Sequence, residues 1–208
     1  ASRQWTAVAS SSDGTKLVAV VFSGQIYTSI DSGATWTATD AARAWASVAS
    51  SSDGTRLVAV ATGGQIYTSI DSGATWTARD ANRNWSSVAS SSDGSMLVAV
   101  EFGGQIYTST DSGATWTPRD AIRNWYSVAS SSDGTKLVAA EQGGKIYISA
   151  DSGATWFARN ANRNWSSVAS SSDGTRLVAA VDGGQIYTSA DSGTTWTARA
   201  TDADRAWS

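Results

Sequence analysis

Short runs of β-branched, aromatic and small apolar residues alternate along the chain with clusters of Ser, Asp and Gly, and none is long enough to make a stable helix. From residue 85 onward four such runs follow one another, over 85–90, 96–102, 105–110 and 115–119. Turn signals separate them: Ser92-Asp93-Gly94, then Gly103-Gly104, then Asp111-Ser112-Gly113. Gly reaches positive φ without steric cost and Asp bonds its own turn backbone, so these spacings predict tight antiparallel hairpins. A longer link runs from Arg119 to Trp125 before the pattern starts again. The predicted helix content is nil.

The pattern recurs along the whole chain. Trp5, Trp45, Trp85, Trp125 and Trp165 lie 40 residues apart, and so do Trp36, Trp76, Trp116, Trp156 and Trp196. The units are approximately 1–40, 41–80, 81–120, 121–160 and 161–202. A period near 40 with four short strands per unit is the pattern of a β-propeller, one blade per repeat. The expectation is a single all-β domain over 1–208, a five-bladed β-propeller with four antiparallel strands per blade. Residues 203–208 start a sixth copy after a two-residue insertion, with Trp207 in the slot of Trp5. Ring closure is therefore expected to rest on packing of the last blade against the first, with the tail beside the N-terminal segment. A monomer is expected, with strand exchange between chains as the alternative.

Composition narrows the chemistry. With no Cys and no His among 208 residues there are no disulfides, thiolate nucleophiles, imidazole bases or Cys/His metal sites. Leu, Ile, Val and Phe supply only 32 residues, a level seen in disordered chains. Disorder also needs high net charge, and here it is −3, so Trp, Tyr and Ala must carry much of the packing. A pI near 4.8 argues against nucleic acid or an anionic membrane as partner. No apolar run reaches the ~18 residues of a membrane-spanning helix, and no signal peptide is read.

One motif points to a family. Ser29-Ile30-Asp31-Ser32-Gly33-Ala34-Thr35-Trp36 has the form S-x-D-x-G-x-T-W, which recurs from Ser69, Ser109, Ser149 and Ser189. It resembles the Asp-box (BNR) repeat of sialidase-like propellers and of the related photosystem-assembly-factor-type propellers, over essentially the whole chain. The resemblance implies that the box sits in the turn between third and fourth strands, where the strand reading also places it. Asp31, Asp71, Asp111, Asp151 and Asp191 are read as structural, accepting backbone N–H bonds, while Trp36, Trp76, Trp116, Trp156 and Trp196 pack between blades. Five separated carboxylates do not supply the oxygens that Ca²⁺ needs, so neither metal nor cofactor is expected.

Up-and-down connectivity puts the Ser-Asp-Gly turns and Asp-boxes on one face, where the copies hardly vary. The opposite face varies: Val21-Phe22, Ala61-Thr62, Glu101-Phe102, Glu141-Gln142 and Val181-Asp182 at the second turn, and Thr6, Ala46, Ser86, Tyr126 and Ser166 after the link. It also carries an R-x-W element. Arg43, Trp45, Arg83, Asn84, Trp85, Arg123, Asn124, Trp125, Arg163, Asn164 and Trp165 are the candidate ligand-binding residues, Trp as a sugar platform and Arg and Asn as polar partners. The structural alternative has Trp plugging blade interfaces while Arg pairs with Asp40, Asp80 or Asp120 or stacks on an aromatic ring.

Sialidase chemistry, which the resemblance raises, would need asymmetric Arg, Tyr, Glu and Asp groups. Here Tyr27, Tyr67, Tyr107, Tyr147 and Tyr187 share one repeated slot and only Glu101 and Glu141 supply glutamates, so no catalytic residues are assigned. The expected function is a non-enzymatic recognition propeller, a multivalent carbohydrate-binding, lectin-like module. The alternative is a protein-interaction platform or pure scaffold, towards which the irregular Phe22, Glu101, Ile122 and Tyr126 lean.

Overall fold

A computed structural model describes residues 3–199, all strand and turn. The strands are β1 (Trp5–Ser10), β2 (Leu17–Gly24), β3 (Ile26–Ser29), β4 (Thr37–Ala38), β5 (Arg43–Ser50), β6 (Leu57–Ser69) and β7 (Thr77–Ser90). They continue as β8 (Leu97–Ser109), β9 (Thr117–Ser130), β10 (Leu137–Ser149), β11 (Phe157–Ser170), β12 (Leu177–Val181), β13 (Ile186–Ser189) and β14 (Thr197–Arg199). All pairing is antiparallel and between sequence neighbours, except that β2 also pairs β5 at Phe22↔Ala44 and Gly24↔Arg43. The first unit shows the plan: β1 pairs β2 from Trp5↔Val21 to Ser10↔Leu17, β2 pairs β3 through Ala19↔Tyr27, and β3 pairs β4 through Tyr27↔Ala38.

The link between units differs from the expected loop. It is extended and continuous with the strands on either side, so that β7, β9 and β11 each leave one unit and enter the next. The cause is pairing: Thr62↔Asn84 and Gly64↔Arg83 zip the link onto the second turn of the preceding unit. Asp80, Asp120 and Asn160 take left-handed φ of 54°, 51° and 61° within it, a conformation that Asp and Asn tolerate better than most residues.

The core lies between units rather than inside any one of them. Val58, Val60 and Ile66 of one sheet face Trp85, Val88, Leu97, Ala99 and Tyr107 of the next, with Trp116 packed against the same cluster. Equivalent layers follow at Val98–Trp125 and Val138–Trp165, and precede at Val18–Trp45. In each layer the Trp ring meets a Tyr edge-on, as for Trp85–Tyr107 at 5.1 Å, a contact worth about 0.5–1.5 kcal/mol beyond its burial. Backbone bonds stitch the same layers: Ser12 N–H donates to the Ser52 carbonyl, Ser52 to Ser92, Ser92 to Ser132 and Ser132 to Ser172.

Among the described residues this stacking is not continued from the last unit to the first. Trp5 is 48 % exposed where Trp45, Trp85, Trp125 and Trp165 are fully buried, and Val178 is 38 % exposed where Val58, Val98 and Val138 are at 1 %. Among the described residues no backbone bond runs from Ser172 back to Ser12. Residues 203–208, read as the start of a sixth copy, lie outside the described residues.

Candidate recognition face

The turns of the invariant face are fixed by their own carboxylates. In the third box Asp111 accepts from the Thr115 amide at 2.9 Å, the Thr115 hydroxyl at 2.6 Å and the Ser109 hydroxyl at 2.8 Å, while Ser109 Oγ accepts from the Gly113 amide. Trp116 Nε1 closes the loop by donating to the Gly113 carbonyl at 3.1 Å. Those bonds favour the charged carboxylate and hold Asp111 down at about 2 from 3.8, the Thr115 hydroxyl contributing most. In the Ser-Asp-Gly turn Asp93 is likewise held at about 2, first by the Ser91 hydroxyl. Both oxygens of the Asp93 and Asp111 carboxylates are thus engaged within their own turns.

On the opposite face Trp45, Trp85, Trp125 and Trp165 are at 0 % exposure, so the sugar-platform reading of these four rings is corrected: they plug unit interfaces. The arginines before them are half-buried and occupied as well. Arg83 lies 4.6 Å over the Tyr107 ring and 3.3 Å from Asp80, with Glu101 at 3.9 Å; Arg123 repeats this over Tyr147 with Asp120 and Glu141. Arg43 stacks on Tyr67 near Asp40, and Arg163 stacks on Tyr187. Asn84, Asn124 and Asn164 are exposed, and of the predicted set they alone present free surface.

Tyr147 donates to Glu141 Oε2 at 3.1 Å, and burial followed by the Glu141 charge pushes its phenol up to about 12. Tyr107 is raised in the same way, first by burial. Such phenols resist becoming nucleophiles. Among the described residues no group of three or more acidic side chains could hold a metal ion.

The large apolar side chains that reach solvent on this face are ones that break the repeat. Phe22, Phe102, Ile122 and Tyr126 are all exposed, Ile122 to 73 %. Phe102 and Asn124 face each other across the β8–β9 ladder, and Asn124 stands between Ile122 and Tyr126 in the same strand. Phe22 and Tyr126 both line a cavity of about 520 Å³ onto which the first strands of all five repeats converge, with Thr6, Ser47, Ser87 and Ser167 among its walls. Sequence reasoning named Thr6, Ser86 and Ser166 on this face but missed Ser47, Ser87, Ser127 and Ser167 of the cavity. Their signal was the alternation in Trp-Ser-Ser-Val-Ala-Ser, which sets Ser87 and the buried Val88 on opposite sides of one strand.

The chain is similar to a solved structure of YCF48 bound to D1 peptide, with a TM-score of 0.68 and 18 % identity over 94 % of this chain and 66 % of that one. It is also similar to a GH74 enzyme from Niastella koreensis, with a TM-score of 0.73 and 22 % identity over 96 % of this chain and 32 % of that one, and to YCF48 from Cyanidioschyzon merolae, TM-score 0.63 with 15 % identity over 95 % of this chain and 85 % of that one. The fold is a β-propeller. The chain spans less than two thirds of the first two of these proteins. No family model matches the sequence, and no curated protein matches it either. In propeller terms the inter-unit layers are blade contacts, and the cavity is the mouth of the central channel.

Proposed function

We propose that the five repeats are five blades of a non-enzymatic recognition module, and that it binds an extended protein segment across the channel mouth. The observation that carries this reading is that Phe22 and Tyr126, exposed aromatic departures from the repeat, line the same cavity, with Phe102 and Ile122 exposed as further apolar departures. Exposed aromatic side chains beside hydroxyls suit a peptide, whose apolar side chains and backbone amides need both kinds of partner. The D1 peptide bound to YCF48, a protein of similar fold, fits the same use of a propeller. The carbohydrate reading has lost its stacking platform to burial, and the repeated Asn84, Asn124 and Asn164 are what remain for it. Elevated tyrosines and repeated, self-paired arginines speak for binding rather than catalysis.

Selection of a displayed random-peptide library against the chain tests the proposal. Binders enriched on the native protein should lose affinity about tenfold or more when Phe22 and Tyr126 are both changed to Ser, with the melting temperature held. Enrichment of none, or binders indifferent to both changes, would overturn it; saturable binding on a glycan array would support the lectin reading instead.

A further inference from the structure

Around Arg159 and Arg163 the chain departs from its own repeat, and each departure takes away an acceptor. In the second unit Arg79 Nε donates to the Thr68 hydroxyl at 3.1 Å, and in the third Arg119 Nε donates to Thr108 at 3.0 Å. Ile148 fills that slot in the fourth unit, and Arg159 Nε is buried with no partner. Arg83 lies 3.3 Å from Asp80 and 3.9 Å from Glu101, and Arg123 lies 3.6 Å from Asp120 and 4.0 Å from Glu141. Asn160 and Val181 fill those two slots at the next interface, and Arg163 Nε is buried with no partner as well. Asn160 does not replace the lost carboxylate. Its Oδ1 accepts from the Ala161 amide at 2.8 Å, which leaves Nδ2 as a third buried donor without an acceptor.

We propose that this edge of the interface between the fourth and fifth units binds a phosphoryl group carried as a monoester on a ring. The site is made by residues that do not line the channel mouth, and the proposal does not rest on the recognition reading.

The fold brings the groups to one side of one sheet. Arg163 lies 4.7 Å over the Tyr187 ring of the fifth unit. Arg159 stands opposite Ile146 in the β10–β11 ladder and so shares its face, and Ile146 packs in one layer with Tyr187. Both guanidiniums therefore belong to the side that meets the fifth unit. Phe157, where the second and third units have Thr77 and Thr117, stands opposite Ile148 on the same face. Its ring is 55 % exposed, with the Arg159 guanidinium 5.8 Å from its centre.

Charge and donor count select the ligand. Among the described residues neither Arg159 nor Arg163 forms an ion pair, so two positive charges stand uncompensated in a chain of net charge −3. No internal carboxylate has to be displaced by an incoming anion. Both arginines are half-buried, so the planar ends of their guanidiniums reach the surface while the Nε atoms stay below it. A carboxylate would neutralise only one of the two charges. A phosphate monoester carries nearly two negative charges at neutral pH and three terminal oxygens, which match the two guanidinium forks and the Asn160 amide. The exposed Phe157 ring gives the ester's own ring a stacking surface.

Calorimetric titration of the whole chain with phenyl phosphate, inorganic phosphate and benzoate tests the site. Phenyl phosphate should saturate a single site, inorganic phosphate should bind about fivefold more weakly for want of the ring, and benzoate about tenfold more weakly or worse. Asn160→Asp and Ile148→Thr restore residues that the second and third units carry in those slots, so folding is retained. Together they should weaken phenyl phosphate by about tenfold or more, with the melting temperature held or raised. Phe157→Thr should bring phenyl phosphate down to the level of inorganic phosphate. No saturation by phenyl phosphate below about 10 mM, which would mean that water alone serves these donors, would overturn the proposal, as would a double variant that binds like the wild type. Equal affinity of the wild type for the two phosphates would overturn its ester half.

Discussion

The amide of Ser52 donates to the carbonyl of Ser92 at 2.7 Å across a blade interface, and the same bond links Ser12 to Ser52, Ser92 to Ser132 and Ser132 to Ser172. Each of these serines sits in the same Ser-Ser-Ser-Asp-Gly setting, so local sequence cannot distinguish them. Position in the stack can. By hydrogen exchange in dilute solution, the amides of Ser12, Ser52, Ser92 and Ser132 should be protected and that of Ser172 should exchange freely. Equal protection of Ser172 in the monomer would show a seam closed within one chain.

The carboxylate of each Ser-x-Asp-x-Gly-x-Thr-Trp turn satisfies three donors of its own turn, as Asp111 does, so its removal strands them. Asp111→Ala should destabilise the protein by about 1 kcal/mol, the scale of a lost side-chain cap, and Asp111→Asn by less because one oxygen remains to accept from the Thr115 amide. Denaturant unfolding of the two variants measures the difference. Equal losses would mean that charge, rather than acceptor geometry, holds the turn.

The same bonds set an acid limit. Asp13, Asp31, Asp53, Asp93, Asp111, Asp133 and Asp191 are held at about 2, below the 3.8 of a free side chain, each chiefly by a neighbouring hydroxyl of its turn. A folded value below the unfolded one means the stabilisation is complete above about pH 4 and is lost as pH falls through about 2. With no His in the chain, the melting temperature should be flat from about pH 5 to pH 8 and drop steeply between about pH 4 and 2. A transition centred near pH 6 would contradict this.

Much of this architecture was legible because the repeat prints each rule five times. The all-β, antiparallel character and the turns at Ser92-Asp93-Gly94 and Asp111-Ser112-Gly113 follow from spacing and turn chemistry. The link over 81–84 read as a loop because its pairing partner, the turn at Thr62 and Gly64, is supplied by the preceding unit and leaves no local signal. Trp85 could serve as a ligand platform or a plug, since an indole suits either, and its burial by the neighbouring sheet decides. Trp5 and Trp45 share a slot in the sequence yet differ in exposure: Val18, Val20 and Ile26 cover Trp45, and no such layer among the described residues covers Trp5.

Glycine is required for different reasons at two turns of one blade. Gly113 has φ +83°, and a Cβ there would lie 2.6 Å from Thr68 Cγ2 of the preceding blade. Gly103 has φ +73° and open space around it. Gly103→Ala should therefore cost only the backbone strain, about 1 kcal/mol, while Gly113→Ala adds a steric term and should cost about 2 to 3 kcal/mol. Thr68→Ser in the Gly113→Ala background removes the clashing methyl and should recover part of the loss. Equal costs at the two glycines would place the strain entirely in the backbone.

Trp125 and Trp5 make a matched pair for weighing the blade interface itself. Both open an inner strand and both meet a Tyr edge-on, at 4.9 Å for Trp125–Tyr147 and 5.4 Å for Trp5–Tyr27. Trp125 is fully enclosed by the preceding sheet, against Val98, Val100 and Ile106, whereas Trp5 leaves 48 % of its surface in water. Truncating an enclosed ring forfeits its burial and leaves a cavity, so Trp125→Ala should cost about 3 to 5 kcal/mol. Trp5→Ala removes surface that is half solvated and opens no cavity, and should cost on the order of 1 kcal/mol in the dilute monomer. Unfolding in urea at low protein concentration reads both. A Trp5 loss as large as that of Trp125 would mean that a blade already covers it under those conditions.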